Sequence, residues 1–255
     1  MEGTRMSLFS EESCKRFRET LGLRESPLGI YYTNDKPEGV TPKEGISGCM
    51  IGLLQNARKK GKTVYFDKNH FGCPGGGYYM GFLEKARPNI EYFLSCGIPG
   101  ELEGERYIKT PELARKYFGL MKPRPAPANY CVFKPIESFQ QGNVKPEVVA
   151  FFAPPDILSG LFTLTNYALE TTDAVYTPFG SGCSTILTHP LKEGEKEAPR
   201  AVIGMFDVSA RQMVEKEILT IAMLYSVFSK LLENVSGSFL QTESWKKVLH
   251  RIEKG

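Results

Sequence analysis

Apolar and charged positions alternate with a helical spacing from Ser10 to Leu23, where Phe17, Leu21 and Leu23 punctuate a charged stretch. The next segment, Pro27 to Thr33, reads as a strand through Ile30, Tyr31 and Tyr32, residues suited to a pleated, half-buried surface. Pro37, Gly39, Pro42 and Gly45 mark Asn34 to Gly45 as loop. Ser47 is placed to cap a helix from Gly48 to Lys60, which Gly61 would end in a left-handed turn. A short β-like run follows within Thr63 to Asp67. Gly72-Cys73-Pro74-Gly75-Gly76-Gly77 is too rich in glycine to predict a regular element.

Farther on, Pro111 to Leu120 predicts a surface helix, and Lys122 to Pro127 a proline-rich crossing. Asn129 to Lys134 and Glu147 to Ala153 predict strands, the second leading through Pro154-Pro155-Asp156 into a helix that ends near Glu170. Ala174 to Thr177 predicts a short strand before Gly180-Ser181-Gly182-Cys183. Ala201 to Phe206 predicts another, feeding a long helix from about Ser209 to Leu232. The alternation of strands and helices predicts an α/β fold, a mixed sheet covered by helices, with an α+β arrangement as the alternative. A single domain over residues 1–255 is expected, with no internal repeat.

Composition narrows the class. The chain is 41% hydrophobic and 24% charged, an ordinary globular balance. A formal charge of +3 predicts no nucleic-acid partner, since short clusters such as Arg58-Lys59-Lys60 sit at expected helix ends, where cations complement the helix dipole. Met1 to Ser10 lacks the apolar core of a secretory signal. The most apolar run, Ile218 to Ser229, is too short to span a bilayer and has the length of a buried helix. A soluble cytoplasmic protein without a membrane partner is the expectation. Its six cysteines then read as reduced thiols rather than a disulfide framework.

Those cysteines carry the chemistry. Cys49 lies at an expected helix start, where backbone N–H groups stabilise a thiolate. Cys73 lies among Gly72, Gly75 and Gly76, which let backbone approach a ligand closely and can form an anion-binding nest. Cys183 follows Gly180 and Gly182 and precedes another expected helix start. Cys96, in Ser95-Cys96-Gly97, also lies at a turn and is a possible fourth ligand, whereas Cys14 and Cys131 read as packing residues. The plain alternative is that all are small buried hydrophobes beside loop glycines. Zinc fits poorly, because no C-x₂₋₄-C knuckle is present and the three histidines are His70, His189 and His250. A [4Fe–4S] cluster tolerates widely spaced cysteines, and three of them would leave one iron open. His70, three residues before Cys73, is a candidate acid–base neighbour or ligand against a surface-loop reading. Asp207 and Arg211 have the spacing of an ion pair on one helix face.

Ile46-Ser47-Gly48-Cys49, then Cys73-Pro74 with Met80-Gly81-Phe82, then Gly180-Ser181-Gly182-Cys183 resemble the cysteine pattern of the domain of unknown function 169 family. The tail around Arg200 to Arg211, with Ser238-Phe239-Leu240 and Trp245, resembles one branch of it. The resemblance implies that Cys49, Cys73 and Cys183 belong together, and it leaves Cys96 outside the pattern.

Three readings stand. The first is a redox or substrate-activating protein holding an iron–sulfur cluster or other metal through the cysteines, with an unidentified small-molecule ligand or redox partner. The second is a non-enzymatic binder of an anionic or planar cofactor of corrinoid or haem type. The third is a thiol enzyme with a cysteine nucleophile.

Overall fold

In the computed structural model, which describes residues 9–139 and 144–254, seven strands form one sheet in the order β2-β3-β1-β4-β7-β6-β5. These are β1 (Leu28–Thr33), β2 (Val64–Phe66), β3 (Tyr130–Pro135), β4 (Val148–Ala153), β5 (Val175–Tyr176), β6 (Ala201–Gly204) and β7 (Leu219–Leu224). All neighbours pair antiparallel except β5 and β6. The sheet is therefore mixed, and helices cover it, as the α/β reading requires. Most of the segment read for a secretory signal, residues 1–8, lies outside the described residues.

The helices are α1 (Glu11–Leu21), α2 (Met50–Leu53), α3 (Gln55–Lys60), α4 (Pro74–Tyr79), α5 (Ile90–Phe93), α6 (Pro111–Leu120), α7 (Pro155–Asn166), α8 (His189–Glu193), α9 (Val208–Arg211), α10 (Tyr225–Asn234) and α11 (Glu243–Lys254). Strand β4 shows why both faces of the sheet are covered. Val149, Phe151 and Ala153 join one apolar core with Phe17, Leu161 and Phe228 from α1, α7 and α10. Val148, Ala150 and Phe152 point the other way, into a core with Met50, Ile51 and Ile186. Because every residue of β4 is buried, its sequence reads as a continuous apolar run rather than an alternation.

The same physics overturns the long helix expected from Ser209 to Leu232. Only Val208–Arg211 is helical there; Leu219–Leu224 is the strand β7, between β4 and β6, and helix resumes at Tyr225. Ile221 and Met223 pack into one core and Ala222 into the other. A strand buried on both faces and a buried helix have the same apolar appearance, so the run Ile218 to Ser229 joined two elements into one. The helix after Pro155 likewise stops at Asn166, short of Glu170.

Gly72 to Gly77 is the second correction, since Pro74–Tyr79 forms α4. Cys73 is its N-cap and Pro74 occupies the first turn, where a missing N–H costs no helical bond. Close packing explains the glycines. A Cβ on Gly76 would lie 2.9 Å from the Met50 Cβ, and one on Gly77 would meet Phe71 and Leu83 at 3.0 Å. Here tertiary packing overrides the low helix propensity of glycine. The helix expected from Gly48 starts instead at Met50, and Ser47 donates to the Lys43 carbonyl rather than capping it.

Candidate functional site

Three chain segments bring Cys49, Cys73 and Cys183 together. The first two are tied by backbone: Ser47 N–H donates to the Gly72 carbonyl at 2.7 Å, Gly45 N–H to Asn69 at 2.8 Å, and Ile46 bridges Gly72 in parallel register. Gly72 takes φ +77°, a left-handed conformation that favours glycine, and a Cβ there would lie 2.7 Å from Leu53 Cδ1. The turn it makes aims Cys73 at the end of α4, where the Gly76 N–H donates to the Cys73 sulfur at 3.3 Å. Cys183, 7% exposed, comes from a third segment, at the start of a helix that runs through a π turn, Ser184–Thr188, into α8. Gly182 is small because Met205 and Ala210 crowd it, and its N–H donates to Asp207 Oδ2 at 3.3 Å.

The thiols differ in charge. Cys73 is held below the usual thiol range by hydrogen bonds from Cys183 and Cys49, which outweigh burial, with further help from the Met50 and Gly76 N–H groups. Cys49 and Cys183 are pushed up, first by donating to Cys73 and then by burial. Cys73 is the member of the trio most inclined to ionise. Among the described residues no group of three or more His, Cys, Asp or Glu side chains is arranged to hold a metal ion. All six cysteines are free.

The trio lines a cavity of about 870 Å³. Its wall carries Tyr78, Tyr79, Tyr117 and Phe118, and exposed apolar side chains, Ile46, Phe179, Phe206 and Val208, stand along its lining. Tyr79 and Tyr117 act on each other's ionisation, with Ser181 and Ser184 also within their influence, so hydroxyls cluster beside Cys183. Burial raises both phenols above their ordinary range. Of the glycines expected to bind a cofactor, Gly75 and Gly180 line the cavity; Gly72, Gly76 and Gly182 shape the backbone behind it.

Cys96 is not brought into this group. It is exposed, its sulfur contacts its neighbour's carbonyl at Gly97, and it does not line the cavity. Cys14 and Cys131 are buried packing residues, as expected. His70 pairs with Asp67 at 3.0 Å and is absent from the cavity lining. Asp207 and Arg211 do not pair. Asp207 caps α9 through the Ser209 N–H, while Arg211 donates to the carbonyls of Ile218 and Lys216.

The aromatic wall carried no spacing signal, since its residues come from α4, α5, α6 and three loops. Tyr78-Tyr79 beside the glycine run is the one part a sequence pattern touches.

Comparison with family models places the chain. The model of the domain of unknown function 169 family, described as uncharacterised ArCR, matches residues 16–234. The chain belongs to this family. The match takes in all three cysteines of the trio and stops before α11. No curated protein and no solved structure proved similar. No helix among the described residues is long and apolar enough to cross a membrane.

Proposed function

We propose that Cys49, Cys73 and Cys183 form a reactive centre that holds an iron–sulfur cluster or another thiophilic metal, with a redox or substrate-activating role toward a ligand in the adjoining cavity. The observation that carries this reading is convergence: three thiols from separate segments meet on the wall of a ligand-sized cavity.

Three thiols are the donor type a soft metal takes, although they are not already arranged around an ion and would have to close on it. Cys73 is already suited to bind as thiolate, and a metal deprotonates a coordinating thiol outright, so loading would release the protons of Cys49 and Cys183. Three cysteine ligands on a cubane would leave one iron free for a ligand, and the trio lines the cavity that would supply it. A metal held there would supply Lewis acidity or electron transfer. The protein's own residues orient and exclude water: the aromatic wall shields the site, and Tyr79 and Tyr117 offer protons beside Cys183.

Anaerobic purification followed by iron, sulfide and absorbance analysis tests the reading. Retained iron with a broad band at roughly 400 nm, lost in Cys73→Ser, is the expected result. A metal-free protein that reconstitution with iron and sulfide leaves colourless would overturn it.

A second reading has its own observation. A cysteine at a helix start that accepts a backbone N–H, and whose pKa is lowered, is also suited to act as a nucleophile. Stoichiometric carbamidomethylation of Cys73 alone in metal-free protein would favour it.

A further inference from the structure

The cavity beside the cysteines is lined by one basic side chain, Arg87, and no carboxylate among the described residues pairs with it. Arg87 lines the wall, with its guanidinium over the Phe93 ring at 4.5 Å, and makes no ion pair or hydrogen bond among the described residues. The one carboxylate in the lining, Asp207, is already engaged: Oδ1 accepts from the Ser209 N–H and hydroxyl at 3.0 and 2.8 Å, and Oδ2 from the Gly182 N–H at 3.3 Å. Other arginines of the molecule show what this one lacks. Arg58 pairs with Glu25 and Glu215, Arg124 with Glu147, and Arg200 with Glu193. A guanidinium held against a ring without a carboxylate partner, in a largely aromatic wall whose one carboxylate is already engaged, is free to take the charge of an anionic ligand.

The rest of the wall says what kind of anion. Rings face the space from several sides, including Tyr78, Tyr107, Tyr117 and Phe118, and Phe179 and Phe206 remain 64% and 53% exposed along it. Phe179 lies edge-on to Tyr117, with ring centroids 5.5 Å apart, so the exposed ring continues the inner aromatic surface. Ring faces favour flat, conjugated partners over flexible chains, because an aromatic pair gains from stacking as well as from burial. At about 870 Å³ the cavity takes a ligand of several fused or linked rings.

We infer that the ligand of this cavity is a planar aromatic or conjugated molecule carrying an anionic group, with Arg87 as the residue that selects the charge. The inference rests on the proposed function for the place of the ligand beside the trio, and it does not depend on which metal, if any, the cysteines hold.

Two dyes of one shape separate charge from burial: 8-anilinonaphthalene-1-sulfonate, an anion, and N-phenyl-1-naphthylamine, its neutral counterpart. Both are titrated by fluorescence into the whole chain and into Arg87→Gln, with decanoate as a flexible anionic competitor. One saturable site is expected for each dye in the parent. Arg87→Gln should weaken the sulfonate about tenfold, the loss of one charge-assisted contact, and the neutral dye less than about twofold. Arg87→Lys should restore part of the sulfonate affinity, and decanoate should displace it poorly. Ile108→Trp, which fills the cavity, should weaken both dyes and so place them there.

Equal weakening of the two dyes by Arg87→Gln, or no saturable binding of either, would overturn the charge selection. Displacement by decanoate as effective as by unlabelled naphthalene sulfonate would overturn the planar class. Iron content, measured on the same Arg87→Gln preparation, should equal the parent's. A failure of metal retention is therefore read separately from a failure of ligand binding.

Discussion

Cys183 is the leading influence lowering the pKa of the Cys73 thiol, and that interaction ties the turn before α4 to the helix that carries the π turn. A π turn inserts an extra residue into the helical ladder, a feature that recurs where a helix is bent to serve a site. Here its five residues are all buried, directly after Cys183. The site is thus held from both sides by irregular backbone, a positive-φ glycine on one and a π turn on the other.

Removing a donor should change the reactivity of the acceptor. In Cys183→Ala the thiolate at Cys73 loses its leading stabilising contact, so its pKa rises toward the ordinary thiol value of about 8.5. At pH 6 the thiolate fraction falls, and with it the rate of carbamidomethylation at Cys73. Mass-spectrometric rates for metal-free parent and variant should differ by at least about tenfold at pH 6 and converge near pH 9, given one decade per unit of pKa below it. Equal rates at pH 6 would show that Cys183 does not hold the thiolate.

How much of this was legible in the sequence depends on whether the signal was local. β1 and β3 carry β-branched and aromatic residues between turn formers, and the structure places them where expected. The trio was legible for a local reason too, because each cysteine stands beside a glycine that a tight turn or close packing requires. Leu219–Leu224 was misread because burial on both faces erases the period of two. Cys96 had the same glycine-flanked look as Cys73, yet its glycine serves a different turn: a Cβ on Gly97 would lie 2.3 Å from the Leu102 carbonyl. Arg87 and the aromatic wall depend on long-range packing, which no spacing rule encodes.

Trp245, the one tryptophan of the chain, packs its ring on Gly160 of α7 and donates its indole N–H to the Thr20 carbonyl at 3.0 Å. A Cβ at Gly160 would fall 2.4 Å from the indole Cη2, closer than any real contact. Gly160→Ala gains helix propensity in α7 but drives α11 off the sheet layer, and overpacking costs typically 1–3 kcal/mol. The expected result is a net loss of about 1–2 kcal/mol in urea unfolding, with a red-shifted tryptophan emission before unfolding. Parent-like emission and stability would show that α11 accommodates the methyl.

Arg58 is 4% exposed and holds three elements together: it bonds Glu25 at 2.8 Å and Glu215 at 3.1 Å, and its guanidinium lies 4.2 Å from the Phe152 ring centroid. Arg58→Met keeps the volume and removes the charge, leaving both carboxylates without their buried partner. Lys59 still reaches Glu215, so the cost falls below that of a fully orphaned pair, at about 2–3 kcal/mol. Glu215, held down to about 2 by Lys59 and Arg58 against its burial, should then titrate closer to the usual carboxylate range. Carbon-detected NMR of the Glu215 carboxyl and denaturant unfolding check the two effects; an unchanged midpoint would assign Arg58 no structural weight.

His189 gives the chain an acid sensitivity that can be isolated. It is 6% exposed, its Nδ1 lies 3.3 Å from the Tyr176 hydroxyl, and its Nε2 is buried without a partner. Burial, reinforced by the nearby Lys192 and Lys196 and opposed by Glu193, lowers its pKa to about 4. Because the folded value lies below the unfolded value of about 6.5, the unfolded chain binds a proton first as pH falls. The stability that neutral His189 confers is complete above pH 6.5 and is lost progressively down to pH 4. Glu193, Glu215 and Asp67 have lowered pKa values, so their contributions are lost mainly below pH 4.5, under most of this window. The Cys73 thiolate adds its own slope, but equally in the parent and in His189→Leu, so the difference between the two proteins reports His189 alone. That difference should narrow or reverse by about 2 kcal/mol between pH 6.5 and 4.5, at about 1.4 kcal/mol per unit. Urea unfolding of the pair at half-unit steps measures it, and parallel stability curves across the window would mean that His189 is already charged in the folded protein.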